Sequence, residues 1–554
     1  MKDFYQSGPQ FKNQFTHDFL LRSYLIKCLP KEIWNSIQPD LEHFGERVAT
    51  DIYEMGERAE ASAPKHIPYD PWGRRVDEIS ISPAWNELAT VAAEEGIVAI
   101  GYERKFGAFS RLYQFAKLYL YHPSSAFFSC PLAMTDGAAR AIELYGDEGM
   151  KNHAFRNITS RDAKKFWTSG QWMTERTGGS DVSGTSTDAR FVNGRYELYG
   201  TKWFTSATTS QMAMTLARIE GAPAGSKGLS LFYLELRDPS GKLQNIRINR
   251  LKDKLGTKAL PTAELELFGT PATLVGGEGG GVKKIASLFN ITRMYNSICA
   301  LGAARRALVL ARDYSFRREA FGKKMAEHPL HAETFASLVT EFEANFHLTF
   351  HLSGLLGKDE TGSATESEAA ILRLLTPIAK LHTAKSAMAI TSEVIEIFGG
   401  AGYVEDTGLP RLLRDAQVFS IWEGTTNVLS LDVLRALEKE NAFPHFIEDI
   451  RRRIARIQDD ELKDSAVRIE KALAEIEVYL QKAMKEGPEF IQAGLRAFSF
   501  SLAKVFAGSL MLEFADGIPE SRESAKRWCS QKLAPLLYAG IEHRKASFRL
   551  LQRE

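Results

Sequence analysis

The sequence of 554 residues has few cysteines, no long uninterrupted apolar run and almost no net charge. Its four cysteines lie far apart, which excludes CxxC metal or redox motifs and makes a disulfide framework unexpected: Cys28, Cys130, Cys299 and Cys529. No apolar run approaches the roughly 18 residues of a membrane-spanning helix, so we expect no membrane partner. The start, "MKDFYQSGPQFKNQF", lacks the marks of a signal or transit peptide. We therefore expect a cytoplasmic protein.

The charge balance also limits the choice of partners. Lys and Arg total 70 residues against 69 Asp and Glu, which provides no overall field for attracting nucleic acid. The common signatures of phosphate loops, dinucleotide folds, zinc proteases and serine hydrolases are absent, and we predict no metal site. The glycine run "GGEGGG" at 276–281 has neither the spacing nor the lysine of a phosphate loop, and is typical of a turn before a helix.

The period of the apolar residues divides the chain into regions. In residues 83–168 the apolar residues recur at spacings of three and four, which predicts a helical domain. Before it lies an extension, 1–82, with a short helical leader and a Pro-rich segment, 61–78, that we expect to be an irregular connector. Residues 169–275 alternate, and Asn193-Gly194 favours a type I′ hairpin turn. This pattern predicts a small antiparallel β-domain.

Helical periodicity returns and continues to the last residues. Three long helical stretches in 276–442 predict a four-helix bundle. Residues 443–554 predict a helical extension, in which "IEDIRRRIARI" places four isoleucines on one helix face: Ile447, Ile450, Ile454 and Ile457. The fold class is therefore α+β, with a helical domain, a β-domain, a helical bundle and a helical extension, in that order.

Three segments are candidates for ligand binding, although each has an ordinary structural explanation. "QWMTERTGGSDVSG" combines hydroxyls with glycines that let backbone N–H groups approach a ligand, but it could be only a turn. "KWFTSA" places Trp203 and Thr205 on one strand face, which suits a flat ring but also an ordinary strand core. "FRREAFGKKM" ends a helix with arginines that could bind a pyrophosphate, although surface arginines are common.

Taken in order, five motifs resemble those of the acyl-CoA dehydrogenase family of flavoproteins. They are "MTERTGGSDV", "GTKWFTSA", "RREAFGKK", "IFGGAGYVEDTGLPRLLRDA" and "IWEGTTNV", and the resemblance covers residues 83–437. The long leader, "YDPWGRRVDEISISPAW", "RLKDKLG" and the C-terminal extension are most similar to the AidB branch. The resemblance implies FAD between the β-domain and the bundle, a site completed by a neighbouring subunit, and a homotetramer built as a dimer of dimers.

The resemblance also implies roles for individual residues. Glu423 would be the catalytic base, and Arg293 and Gly424 would contact substrate together with Ser180, which would also face the cofactor. Thr205 would donate to the flavin ring near N5, with Trp203 packed against it. The remaining implied FAD contacts are Met173, Thr174, Phe204, Arg318, Phe321, Gly399, Gly400, Trp422, Thr425 and Asn427. The sequence departs from the family at Glu396 and Pro329, where Gln is frequent.

The implied reaction gives the acid in "IWEGTT" a purpose. An α-proton of an acyl-CoA thioester is very weakly acidic, so its base needs a poorly hydrated setting and the developing oxyanion needs fixed donors. The family places the base either at Glu423 or just before Arg293, where this chain has Thr292. The β-hydrogen would leave as hydride to flavin N5, and an electron-transfer protein would be a partner. The structural alternative for Glu423 is an acid that stabilises a helix N-terminus.

Two other functions stay open at this point. An AidB-like protein would bind double-stranded DNA through the extension and keep only residual dehydrogenase activity. Residues 443–554 hold 19 Lys and Arg against 17 Asp and Glu, an excess of two, which is weak for a phosphate-binding surface. The arginines of "RRRIAR" at 451–456 could instead be a solvated helix face. A third reading is a sensor that binds acyl-CoA with little turnover, which the sequence does not separate from a fatty-acid-metabolising enzyme.

Overall fold

The computed structural model describes residues 7–537 and 540–553. Their contacts divide the chain into two compact units, and the division falls inside helix Gly281–Arg317. The sheet unit contains residues 12–18 and 29–302. The described residues of the bundle unit are 7–11, 19–28, 303–537 and 540–553.

The sheet unit begins with helices whose apolar faces are buried. Helix Ser110–Tyr121 is buried along its whole length, and it carries polar side chains that need partners in this environment. Asp136 supplies them, accepting from Arg111 at 2.8 Å, Gln114 at 2.6 Å and Tyr295 at 2.9 Å. The network joins three helices of this unit. The main helices are Lys31–Arg47, Asp51–Glu60, Pro83–Glu94, Ala99–Glu103, Ser110–Tyr121, Ser129–Tyr145 and the first part of Gly281–Arg317.

The segment expected to be an irregular connector is a β-hairpin, so that prediction is wrong. Strand β1 (Lys65–Tyr69) pairs antiparallel with β2 (Arg75–Ser80). The turn between them uses Gly73 at a φ of 80°, a left-handed conformation that favours glycine. Pro64, before the first strand, Pro68, within it, and Pro71, in the turn, obscured the alternation. Buried Asp77 holds the hairpin by accepting from Arg75 at 2.7 Å and from the Ile248 N–H at 3.3 Å.

Residues 169–275 form a seven-stranded sheet that pairs back on itself. Its strands are β3 (Ser169–Trp172), β4 (Asp188–Val192), β5 (Arg195–Ser206), β6 (Met212–Ile219), β7 (Leu229–Glu235), β8 (Ile246–Leu251) and β9 (Thr262–Val275). The order is β3-β6-β4-β5-β9-β7, β8 pairs with β9, and a further β6–β7 pairing closes a ring of strands. The predicted antiparallel domain is present, although β6 also pairs parallel with β3 and β4.

The local turns of the sheet agree with their sequences. Asn193 and Gly194 have φ values of 50° and 83°, and Val192 pairs with Arg195 across them, as the two-residue hairpin requires. The run of glycines before helix Gly281–Arg317 is a turn, with four positive φ values at 276, 277, 279 and 280. One sheet face packs on helices of the same unit through a core that includes Met173, Met214 and Leu288.

The bundle unit is built from long helices with clear start signals. Pro329 and Pro488 each occupy a first helical position, and Thr365 and Glu368 form a capping box at the start of Glu366–Ile397. The helices are Phe19–Cys28, the end of Gly281–Arg317, Pro329–Glu360, Glu366–Ile397, Leu409–Ala416, Thr426–Glu440, Ala442–Ile454, Lys463–Glu486, Pro488–Ala515, Arg522–Ser530 and Ile541–Leu551. Strands β10 (Glu319–Ala320) and β11 (Lys323–Lys324) form a small hairpin.

The extension packs into the bundle unit. Helix Pro488–Ala515 packs against Pro329–Glu360, Glu366–Ile397 and Thr426–Glu440. In the described part of the chain it is the helix long and apolar enough to cross a membrane, but 78% of that window is buried. The predicted isoleucine face is corrected, because helix Ala442–Ile454 ends before Ile457, and Ile447 is only half-buried.

Candidate active site

A β-bulge changes the predicted arrangement at the end of β5. Lys202 pairs with Leu265 and Thr205 pairs with Ala263, so three residues of β5 span two residues of β9. Thr205 therefore lies on the side of Lys202, and both side chains are buried. The expectation that Trp203 and Thr205 share a face is wrong, because period-two alternation does not allow for an inserted residue.

The bulge gives the strand two adjacent aromatic rings close to the same cation. The Lys252 Nζ lies 3.8 Å from the centroid of the Trp203 ring and 4.7 Å from that of Phe204. The Arg176 guanidinium lies 5.1 Å from the Trp203 ring. Trp203 is half-buried and Phe204 is 56% exposed. An accessible ring face and nearby cations suit a flat ligand that carries anionic groups.

The other predicted residues of this segment have different settings. Thr205 donates its hydroxyl to the Ala263 carbonyl at 2.7 Å, so this geometry gives no support to donation from that hydroxyl to a ring. Met173 is buried in the core. Thr174 is half-buried, and its carbonyl accepts from the Trp203 N–H at 2.9 Å, which joins the hydroxyl-rich loop to the bulge. Ser180 is exposed on that loop.

A buried ion pair that the sequence reasoning did not identify anchors the same loop. The Glu175 carboxylate accepts from the Lys202 Nζ at 2.7 Å, and both side chains are at most 1% exposed. It also accepts from the Thr187 hydroxyl at 2.5 Å and from the N–H and hydroxyl of Ser186 at 2.6 and 2.7 Å. Burial alone would raise the pKa of Glu175, but Lys202 and these hydroxyls hold that pKa below its ordinary value. The sequence signal for this pair was the presence of Glu175 in "MTERTGGSDV" and of Lys202 in "GTKWFTSA".

The alternative position of the base carries no acid. Thr292 is buried on helix Gly281–Arg317, and its hydroxyl donates to the Phe289 carbonyl at 3.1 Å. Arg293 follows it and is half-buried.

In the bundle unit, Glu423 lies in a tight turn between a 3₁₀ segment, Gln417–Ser420, and helix Thr426–Glu440. Its φ is 55°, a left-handed conformation that is rare for a residue with a side chain, and the φ of Gly424 is 103°. Glu423 and its neighbour Trp422 are half-buried. Thr425 is the N-cap residue and is exposed. The turn therefore holds the carboxylate beside a helix N-terminus.

Two basic side chains of the bundle unit contact this segment. The Lys380 Nζ, on helix Glu366–Ile397, donates to the Gly424 carbonyl at 2.6 Å. Arg496, on the extension helix Pro488–Ala515, donates to the Asn427 side-chain oxygen at 3.2 Å. Sequence reasoning identified neither contact, because both partners are distant along the chain.

A second group of predicted residues lies at helix ends of the bundle unit. Arg318 is exposed directly after helix Gly281–Arg317, and Phe321, at the β10–β11 turn, is 98% exposed. Gly399 and Gly400 are exposed in a 3₁₀ turn, and a Cβ added at either would meet nothing within 4 Å. The rings of Tyr314 and Phe398, 4.5 Å apart, bring the two helix ends together.

Models of four protein domains match consecutive parts of the chain. They are the AidB adaptive response protein N-terminal domain (residues 9–163), the acyl-CoA dehydrogenase middle domain (170–269), the acyl-CoA dehydrogenase C-terminal domain (279–438) and the acyl-CoA dehydrogenase 11 C-terminal domain-like model (441–548). Acyl-CoA dehydrogenase family member 11 of Caenorhabditis elegans is 42% identical over 96% of this chain and 89% of its own length. The chain belongs to the acyl-CoA dehydrogenase family.

Other similar proteins support the membership of this chain in the acyl-CoA dehydrogenase family. Putative acyl-CoA dehydrogenase AidB of Escherichia coli K12 is 30% identical over 89% of this chain and 87% of its own length. The crystal structure of Caenorhabditis elegans ACDH-11 in complex with C11-CoA superimposes with a TM-score of 0.97 at 41% identity, covering 100% of this chain and 97% of that one. Bd2924 in its apo form gives a TM-score of 0.87 at 55% identity, covering 93% and 100%. The predicted family, its AidB-like branch and the fold class are confirmed, and family members are FAD-dependent oxidoreductases.

Proposed function

We propose that the chain is an FAD-dependent acyl-CoA dehydrogenase in which Glu423 removes the α-proton of an acyl-CoA thioester. The observation that carries the proposal is the conformation of Glu423. A non-glycine residue with a φ of 55° is strained, and residues in such conformations are concentrated at active sites and ligand-binding sites. Thr292 occupies the other position that family members use, and it has no carboxylate.

The residues present fit FAD. Trp203 and Phe204 offer an accessible aromatic face, and exposed Arg318 is suited to a diphosphate. The backbone at Gly399 and Gly400 is open, and Phe321 is available to contact a ligand or a second subunit. When bound, FAD would accept the β-hydrogen of the substrate as hydride at N5. We also propose that a second copy of the chain completes this site, within a homotetramer.

The chain's own residues would perform the proton transfer. The carboxylate of Glu423 would take the α-proton once the acyl-CoA displaces water from the half-buried turn, since loss of water raises the basicity of a carboxylate. The backbone N–H of Glu423 would donate to the thioester oxygen as negative charge develops there. The N-terminus of helix Thr426–Glu440 adds a favourable dipole for that charge.

The test is bleaching of the flavin absorbance when acyl-CoA is added without oxygen. Straight-chain thioesters near C11 are the first choice, because ACDH-11 was solved with C11-CoA. Glu423→Gln should keep FAD and acyl-CoA binding and lower the rate of flavin reduction by about 10²–10⁴-fold, the usual contribution of a general base. Glu438→Gln, an exposed acid on the following helix, is the matched control and should reduce its flavin at the wild-type rate.

The bleaching assay and a gel shift with duplex DNA together separate the competing functions. An acyl-CoA sensor would bind the thioester without bleaching at any chain length. A protein whose main ligand is duplex DNA would shift a duplex with an affinity that falls steeply as salt rises. If the flavin of Glu423→Gln is still bleached at the wild-type rate, a residue other than Glu423 is the base.

A further inference from the structure

We propose that Lys380 is a positioning residue that holds the base Glu423 by fixing the Gly424–Thr425 peptide of the same turn. Lys380 lies within helix Glu366–Ile397 and is 0% exposed. A lysine ammonium is costly to bury unless it binds acceptors there. One of its acceptors is the Gly424 carbonyl at 2.6 Å, the first carbonyl beyond Glu423.

The turn needs such a contact because of its backbone conformation. Glu423 and Gly424 have successive φ values of 55° and 103°, and the first of these is unfavourable for a residue with a Cβ. A charge-assisted hydrogen bond to the Gly424 carbonyl fixes the orientation of the Gly424–Thr425 peptide plane. With that peptide held, the backbone of the turn that carries Glu423 has less freedom to move.

The same helix face makes a second attachment further along the segment. Arg373, seven residues before Lys380 and so on the same side of the helix, binds Asp432 at 2.9 Å. Lys380 therefore holds the turn itself, while Arg373 holds the helix that follows it. Loss of Lys380 should release the turn without detaching the helix, which separates positioning of the base from general folding.

This inference rests on the proposed function of Glu423, and it predicts which kinetic quantity changes. A base displaced by a fraction of an ångström still permits the substrate to bind, but it abstracts the proton slowly. Removing the ammonium should therefore lower the rate of flavin reduction and leave the affinity for acyl-CoA nearly unchanged.

The experiment compares Lys380→Met, Lys380→Arg and Lys385→Met in the full-length FAD-loaded protein. Methionine keeps the length and apolar contacts of the lysine, arginine keeps a charged donor, and Lys385 is a half-buried lysine on the same helix. Anaerobic stopped-flow measures flavin reduction, calorimetry measures binding of the C11 thioester, and hydrogen exchange of residues 419–432 reports the turn without activity.

We expect Lys380→Met to reduce its flavin at least about 10-fold more slowly, with binding within about 2-fold and faster exchange in 419–432. Lys380→Arg should recover part of the rate, and Lys385→Met should behave as wild type. Wild-type rate and exchange in Lys380→Met would overturn the inference while the proposed function stands. Absence of bleaching in the wild type would overturn the proposed function, and the exchange result would then still report whether Lys380 fixes the turn. If Lys380→Met does not fold, Lys380→Arg is compared with the wild type by the rate of flavin reduction and by hydrogen exchange at 419–432. A pure packing role for Lys380 predicts no specific change in exchange at 419–432.

Discussion

The buried pair of Glu175 and Lys202 gives the sharpest stability prediction. Lys202→Met removes the ammonium and leaves the carboxylate buried with three donors, two hydroxyls and one N–H. It also leaves the Leu216 carbonyl without the donor that now lies 3.1 Å away. Removing one partner of a buried ion pair costs about 3–5 kcal/mol, and the remaining donors place this case near about 3 kcal/mol.

The assay is urea unfolding at pH 7, with hydrogen exchange of β5 reporting the sheet unit. Arg247→Met is the matched control, because the Arg247–Glu266 pair is 43% and 40% exposed and should contribute less than about 1 kcal/mol. Adding Glu175→Gln to Lys202→Met removes the uncompensated charge and should restore part of the loss. A Lys202→Met variant no less stable than Arg247→Met would refute the reasoning.

The pH dependence of that difference has a defined sign. The pKa of Glu175 lies below its ordinary value of 4.5 in the folded protein, so its stabilisation is present above pH 4.5 and is lost as the pH falls through the lower folded pKa. Without Lys202, burial would raise the pKa of the carboxyl. The stability difference between wild type and Lys202→Met should therefore be largest near neutral pH, should begin to narrow as the pH falls through the raised pKa of the variant, above pH 4.5, and should go on narrowing down to the lowered pKa of the wild type.

Two further predictions concern the bundle unit. Burial lowers the pKa values of His347, His351 and His382. The pKa of His347 falls to about 3. Because the unfolded chain binds protons near pH 6.5 and these buried rings do not, the free energy of unfolding should fall as the pH drops below 6.5, by about 1.4 kcal/mol per pH unit for each histidine. Urea titrations at several pH values test this, with His347→Phe expected to lessen the slope and a flat profile contradicting it. Gly402→Ala would place a Cβ 2.1 Å from the Ile395 carbonyl oxygen and should destabilise the bundle unit by about 1–3 kcal/mol. Gly354→Ala is the control, because its added Cβ meets nothing within 4 Å and should not destabilise the unit. Equal urea unfolding midpoints for the two variants would contradict this prediction.

The parts of the fold that the sequence predicts correctly are governed by local chemistry. Asn193-Gly194 forms its turn because these residues accept positive φ values. The long helices after residue 281 follow from apolar residues at three and four with clear capping signals. Each of these signals acts within a few residues, so it can be read without knowing the tertiary structure.

The parts that the sequence does not predict depend on partners distant along the chain. The bulge at Trp203 is defined by pairing with β9, and the alternation of β5 alone gives no sign of it. The Lys380–Gly424 contact spans 44 residues and the Lys202–Glu175 pair spans 27, and neither has a local signature. The candidate base was identified through its motif, but the contacts that hold it required coordinates.

Three arginines of the run at 451–456 in the extension have acidic partners. Arg451 binds Glu470 at 3.0 Å and Glu477 at 2.7 Å, and Arg452 binds Asp449. Arg453 is buried, where it binds Asp449 at 2.7 Å. Guanidinium groups neutralised in this way release few counterions from a duplex, so these three arginines offer little of the electrostatic free energy that DNA binding requires.

The same extension contributes to the candidate active site from within the bundle unit. Helix Pro488–Ala515 is buried against the helices that carry Lys380 and Thr426, and its Arg496 contacts Asn427 four residues after Glu423. Of the 28 residues of helix Pro488–Ala515, most are buried in the bundle unit. Because its apolar residues pack on the helices of the bundle, the extension is part of the core of the bundle unit, and its removal would uncover an apolar face there.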